Sequence, residues 1–114
     1  MAIKIIKHPI PRSEIETMAK TLFGDLVKAV VDIERGTMAV DMELHADGET
    51  LMLESGSQQK NLWGINLYPG RGERDFIEFD SMINIRPQQG NRSRSVEDPN
   101  IQKQIITIVK KLII

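Results

Sequence analysis

A chain of 114 residues holds enough material for one domain and too little for two. An apolar share of 40%, a charged share of 27% and a net charge of -1 describe a soluble globular protein. They exclude a disordered or collagen-like chain, and also a globally basic nucleic-acid binder, which needs a clear excess of Lys and Arg.

The cysteine-free sequence allows no disulfide frame, thiolate nucleophile or zinc ribbon. No apolar run approaches the roughly 20 residues of a membrane helix, and the stretch from Met1 to Ile6 is too short for a signal peptide. A cytoplasmic protein with no membrane partner is the expectation.

Along the chain, Ile3 to Ile6 reads as a short strand, and Pro9-Ile10-Pro11 interrupts it. Ser13 with Glu16 has the spacing of a capping box, so a helix is predicted to begin there, with Ile15, Met18, Ala19 and Leu22 on one face and Gly24 as its stop. The segment 26–44 reads as a hairpin. With Arg35-Gly36 as a two-residue turn, Ile33 faces Met38, Val31 faces Val40, Ala29 faces Met42 and Val27 faces Leu44, all on one side. The other side pairs Lys28 with Glu43 and Val30 with Asp41, which predicts one buried and one wet face.

Residues 47–55 read as a short helix capped by Asp47 and ended by Gly56, with a strand as the alternative. Leu62 to Tyr68 is a strand in which Trp63, Ile65 and Leu67 alternate. A loop at Pro69-Gly70-Arg71-Gly72 leads to a long alternating run with Ile77, Phe79, Ile83 and Ile85 on one face, and Pro87 ends it. The simplest register of this second hairpin sets Ser81 opposite Trp63 and Asp80 opposite Gly64. Gln88 to Glu97 is a polar loop. Asp98-Pro99 then opens a final helix with Ile101, Ile105, Ile108, Val109 and Leu112 inward and Lys103, Lys110 and Lys111 outward. The whole, residues 1–114, is expected to be a single α+β domain: a two-layer sandwich with an antiparallel sheet of four to five strands packed against two or three helices.

Four groups of residues could carry chemistry. Asp41, Glu43, His45 and Asp47 alternate and would share one strand face, a row of metal-ligand types. Neighbours on that row would sit roughly 6.7 Å apart, too far to share a metal without a further ligand from an adjoining strand, for which Glu78 and Asp80 have the right parity. A solvated acidic face is the simpler reading, and no metal is assigned. His45 is the better of the two histidines for general acid/base work, with Asp80, Glu43 and Arg86 as positioning groups. No serine lies in a nucleophile elbow, and Gly70-Arg71-Gly72 lacks the context of a phosphate loop, so no cofactor is expected.

The segment from Arg86 to Ser95 is the most unusual. Arg86, Asn91, Arg92 and Arg94, with the intervening backbone and Ser93 and Ser95, could surround an oxyanion or phosphate. Against that stands satisfaction of Arg86 within its own strand face or by Glu97-Asp98. An aromatic share of 4% disfavours an RNA-stacking platform. On the last helix, Ile106 and Ile113 widen the apolar stripe, which suits either a broad core contact or a homodimer seam.

Several stretches resemble a family of small, uncharacterised bacterial and archaeal proteins. They are 27–32 (VKAVVD), 43–47 (ELHAD), 62–69 (LWGINLYP) and 79–87 (FDSMINIRP), with 90–94 (GNRSR) after the last. The resemblance implies a free-standing intracellular domain and assigns no reaction, cofactor, partner or site residue. Three functional readings follow from the residues themselves. First is a non-catalytic module whose 86–94 loop meets an anionic ligand such as phosphate, a nucleotide or RNA. Second is a small enzyme, with or without a metal, using His45, Asp80 and Glu43 on a polar sheet face. Third is a structural or dimerising protein.

Overall fold

A computed structural model describes residues 3–114. Met1 and Ala2, the start of the short N-terminal apolar run, lie outside the described residues. Eight main elements follow one another: β1 (Lys4–Ile6), α1 (Arg12–Leu22), β2 (Val27–Asp32), β3 (Thr37–Met42), α2 (His45–Glu54), β4 (Leu62–Leu67), β5 (Ile77–Glu78) and α3 (Pro99–Leu112). The strands form one antiparallel sheet in the order β1-β3-β2-β4-β5. This is the α+β arrangement expected, with five strands and three helices among the described residues.

Up to Val40 the first hairpin keeps its predicted inward face but not its predicted register; beyond it, Met42 and Leu44 leave that face, and Leu44 is exposed. Val31 lies opposite Met38 and Ala29 opposite Val40, a slip of two residues. The cause is Asp32. Its buried carboxylate accepts the backbone N–H groups of Glu34 and Arg35 through Oδ1 (2.9 and 3.0 Å) and the Ser57 hydroxyl through Oδ2 (2.6 Å). These bonds close a longer turn over 33–36, in which Gly36 donates its N–H to Asp32 O and takes φ +69°. Because strand side chains alternate with period two, a slip of two leaves Val27, Ala29, Val31, Met38 and Val40 on the same side.

The end of β3 departs further. Ala29 faces Val40 and Lys28 faces Met42, so Asp41 is an extra residue, a β-bulge with φ +72°. Aspartate is among the few non-glycine residues that tolerate this left-handed backbone. The bulge turns Met42 to the opposite face, and the expected pairs Lys28–Glu43 and Val30–Asp41 do not form; Val30 lies opposite Ala39.

Both faces of the sheet carry apolar clusters. On one, Ile15 and Ala19 of α1 and Ile105, Val109 and Leu112 of α3 pack with Ala29, Val31, Val40, Trp63 and Ile65. The other was expected to be wet. There Met52 of α2 packs with Val30, Ala39, Met42 and Leu62. Gly48 permits that contact, since a Cβ at this position would come within 2.5 Å of Met42 Sδ.

Helix ends follow the sequence in part. Asp98 caps α3 by accepting the Asn100 N–H at 2.8 Å, with Pro99 behind it. The capping box at Ser13 and Glu16 does not form. Helix α1 starts one residue earlier, and the Ser13 carbonyl accepts the Thr17 hydroxyl instead. Residues 47–54 are helical with Ser55 as the C-cap, but α2 begins at His45, two residues before the expected cap.

Candidate functional site

The second hairpin pairs as predicted for two residue pairs, Asn66 with Glu78 and Leu67 with Ile77, and then the chain leaves the sheet. The Ile77–Ile85 run is therefore not one strand face. Ile83 packs into the α2-side cluster, whereas Met82 and Ile85 are exposed. What replaces the missing strand is an asparagine. Asn84 is fully buried; its Oδ1 accepts the Gly64 N–H at 2.8 Å and its Nδ2 donates to Gly64 O at 2.9 Å and Arg94 O at 3.0 Å. A side-chain amide presents the same donor and acceptor as a backbone peptide, so Asn84 completes the open edge of β4. Ser81, expected opposite Trp63, lies instead against Gly64, where an added Cβ would meet its Cβ and Oγ at 2.5 Å. The space beside Gly64 belongs to Ser81 and not to Asp80.

Arg86 is directed inward. It is 7% exposed, donates to the carbonyls of Ile83, Gln59 and Leu62 and to Gln89 Oε1, and stacks over Trp63 with its guanidinium carbon 4.4 Å from the ring centroid. Burial pulls its pKa down, and the nearby Glu49 charge opposes that shift. Asn91 is likewise consumed by the fold. Its Nδ2 donates to the carbonyls of Asn84, Ser93 and Ser95 (2.8, 3.2 and 2.7 Å), and its Oδ1 accepts the Glu97 N–H at 2.8 Å. Two of the four expected ligand-binding residues thus hold the segment 80–97 against the sheet.

Arg92 and Arg94 remain on the surface. Between them the backbone forms an anion cradle. The N–H groups of Arg92 and Ser93 both point at Glu97 Oε2, at 2.9 and 2.7 Å. Hydrogen bonds from the Ser93 hydroxyl and N–H, then from Arg92, hold the Glu97 carboxyl below its ordinary pKa. The carboxylate these two N–H groups hold is one of the chain's own, Glu97, and not an external anion. Glu97 bonds to this backbone and not to Arg86, the partner its sequence position suggests. Arg94 Nε donates to Asp80 Oδ1 at 2.7 Å, a pair open to solvent on both sides.

His45 is the first residue of α2 and not the next step of a strand row. Its Nε2 lies 2.8 Å from Ile65 O. A carbonyl only accepts, so Nε2 carries the proton and the imidazole ties the start of α2 to β4. Burial lowers its pKa; the Ile65 bond and Asp80 raise it, while Lys28 and Arg94 lower it. Asp80, Arg94 and His45 are therefore within electrostatic reach of one another. Glu43 is exposed beyond the end of β3, Asp41 sits in the bulge, and Asp47 is in the first turn of α2. The alternating row does not exist, and no group of three acidic or histidine side chains placed to hold a metal occurs among the described residues.

Beside this cluster, Glu78 Oε1 accepts from Asn66 Nδ2 (2.8 Å) and from the Tyr68 hydroxyl (3.0 Å), and Asn66 Nδ2 also reaches Asp80 O at 3.3 Å. Burial, followed by the bond to Glu78, raises the Tyr68 pKa. Sequence reasoning missed Asn66 and Tyr68 and placed Asn84 only on a strand face with Arg86, to which it makes no bond. The usable signal was Gly64 in the middle of an apolar strand, which marks close approach by another part of the chain.

The model of the family described as protein of unknown function (DUF5674) matches residues 4–112. The chain belongs to this family. The DUF5674 match spans every strand and helix described above, including the Asn84–Gly64 contact and the Arg92–Glu97 cradle. No curated protein and no solved structure matches the chain. Among the described residues, no helix is long and apolar enough to cross a membrane.

Proposed function

We propose that this protein is a non-catalytic binding module that presents Arg92 and Arg94 to a small phosphate-bearing anion. The observation that carries the reading is the state of the 91–97 backbone. Asn91 and Glu97 fix it from within, so both guanidinium groups leave an already ordered loop, and binding need not order it. Arginine forks match phosphate oxygens in pairs. Glu97 marks where the backbone favours an oxyanion. A phosphate at the loop either joins the two arginines beside Glu97 or displaces its carboxylate from the cradle.

The enzyme reading has less support. The His45 Nε2 proton is engaged with Ile65 O, and burial favours the neutral ring, both of which suit a structural tie. A cytoplasmic location fits the cysteine-free composition and belongs to the same proposal.

The test is a thermal-shift titration with inorganic phosphate and nucleoside phosphates. A ligand at 100 times its Kd adds about 2.7 kcal/mol, and roughly 4 °C per kcal/mol makes that visible in a domain of this size. The shift should vanish in Arg92→Ala with Arg94→Ala, whose side chains are on the surface and whose loss leaves the Asn91 hub intact. A shift that survives the double substitution, or none with any phosphate compound, would overturn the reading.

A further inference from the structure

A groove of about 560 Å³ opens on the α3 side of the sheet, between α3 and the chain from Glu73 to Phe79. That volume is in the range of small-molecule sites, roughly 300–1,000 Å³. Its floor is apolar. Phe76 is buried at the base, while Ile77, Phe79 and Ile106 are only half-buried and would gain by being covered. Ile106, beside the main stripe of the last helix, adds its apolar surface to this groove.

Among the side chains of the lining, Arg12, Arg74 and Lys110 stand against one carboxylate, Glu73. Arg12 is held in place: its Nη2 donates to Pro69 O and Arg71 O (3.1 and 2.9 Å), and its guanidinium carbon lies 4.1 Å from the Phe76 ring centroid. Its Nε and Nη1 make no bond among the described residues. Lys110 meets Glu73 at 3.2 Å, an exposed pair that joins the two walls. Arg74 has no ion pair among the described residues. The cationic excess rests on fixed and free donors over a hydrocarbon floor.

We propose that this groove binds a single-chain amphiphile with a carboxylate head. Its hydrocarbon lies over Phe79 and Ile106, and its head sits between Arg74 and Lys110, where it takes the place of the Glu73 carboxylate. Charge complementarity selects this occupant over a second copy of the chain, because a two-fold contact through the groove would set the excess positive charge against itself. The site shares no residue with the arginine loop and does not depend on the phosphate reading.

Decanoate, titrated below its micelle-forming concentration and followed by backbone amide chemical shifts, tests the proposal. Saturable shifts should appear at Arg74, Phe79 and Ile106. Decanol should bind at least about tenfold more weakly, the loss expected for one charge-assisted head contact. Arg74→Glu with Lys110→Glu should weaken decanoate by a similar factor, and Ile106→Asp should abolish binding. The two charge substitutions are on exposed side chains, and the wild-type shift map stands by itself if Ile106→Asp fails to fold. Any of three results would overturn the site: no saturable shifts, shifts centred elsewhere, or equal affinity for decanol and decanoate. So would sedimentation showing a ligand-free dimer that Ile106→Asp dissociates, because the groove would then be an interface between copies.

Discussion

Replacing Asn84 tests whether a side chain substitutes for a strand. In Asn84→Ala, the Gly64 N–H, the Gly64 carbonyl and the Arg94 carbonyl each lose a partner at 2.8, 2.9 and 3.0 Å, at a residue with no solvent exposure. Three neutral bonds at about 1 kcal/mol each give roughly 3 kcal/mol, and more if the stranded Gly64 groups stay dry. At roughly 4 °C per kcal/mol, the melting midpoint should fall by about 12 °C. Asn84→Asp is sharper. It keeps the shape and the acceptor for the Gly64 N–H, but sets a carboxylate oxygen against two carbonyls in a buried site, so it should cost at least as much as alanine. Urea unfolding followed by fluorescence of the buried Trp63 supplies the free energy, and hydrogen exchange at the Gly64 amide supplies the location. If Asn84→Ala stays within about 1 kcal/mol of wild type, or the Gly64 amide stays protected, Asn84 does not complete the edge of β4.

Arg86→Lys should destabilise by about 2–3 kcal/mol in the same urea assay, because one ammonium cannot reach the spread of carbonyls held by the fork; a neutral result would return Arg86 to the pool of ligand-binding candidates. Gly64→Ala should lose roughly 2 kcal/mol or more through overpacking against Ser81, and Ser81→Gly should recover part of that loss in a double-mutant cycle; additive losses would refute the contact. The folded pKa of His45 lies below its ordinary 6.5, so its protonation favours the unfolded chain. Its contribution is therefore complete above pH 6.5 and falls as pH drops towards the folded pKa, by at most about 1.4 kcal/mol per unit. His45→Gln should flatten the stability curve measured from pH 7.5 down to 5.5, a window above the Glu97 titration; an unchanged slope would contradict the burial of the ring.

The parts of this fold visible in the sequence are those set by local periodicity. The inward faces of β2 and of β3 as far as Val40 hold through a slip of two residues because their period is two. Asp98-Pro99 capped α3 because both signals act within one turn. The failures are long-range. Asp32 reads as a polar strand end, yet its bonds to Glu34, Arg35 and the distant Ser57 decide the hairpin register. Asp41 reads as a surface carboxylate in an alternating row, and the bulge it forms removes that row. Asn84 sits in an alternating run where a polar residue suggests solvent, and only its contact with Gly64, 20 positions away, shows that it is buried. At the candidate site, the arginine-rich loop was recognisable from composition. Which arginines it spends inward was not, because that depends on the Leu62 and Gln59 carbonyls and the Trp63 ring.

On the proposed function, a loop fixed from within offers Arg92 and Arg94 to an oxyanion. Titrating the wild-type protein with inorganic phosphate while recording backbone amide shifts addresses it most directly, because the cradle is made of backbone N–H groups. Saturable shifts should appear at Arg92, Ser93 and Arg94, with small changes at the buried Asn91 hub, and should be lost in the Arg92→Ala, Arg94→Ala protein. Linear, unsaturated drift at these amides, or saturation that persists without the two arginines, would contradict it.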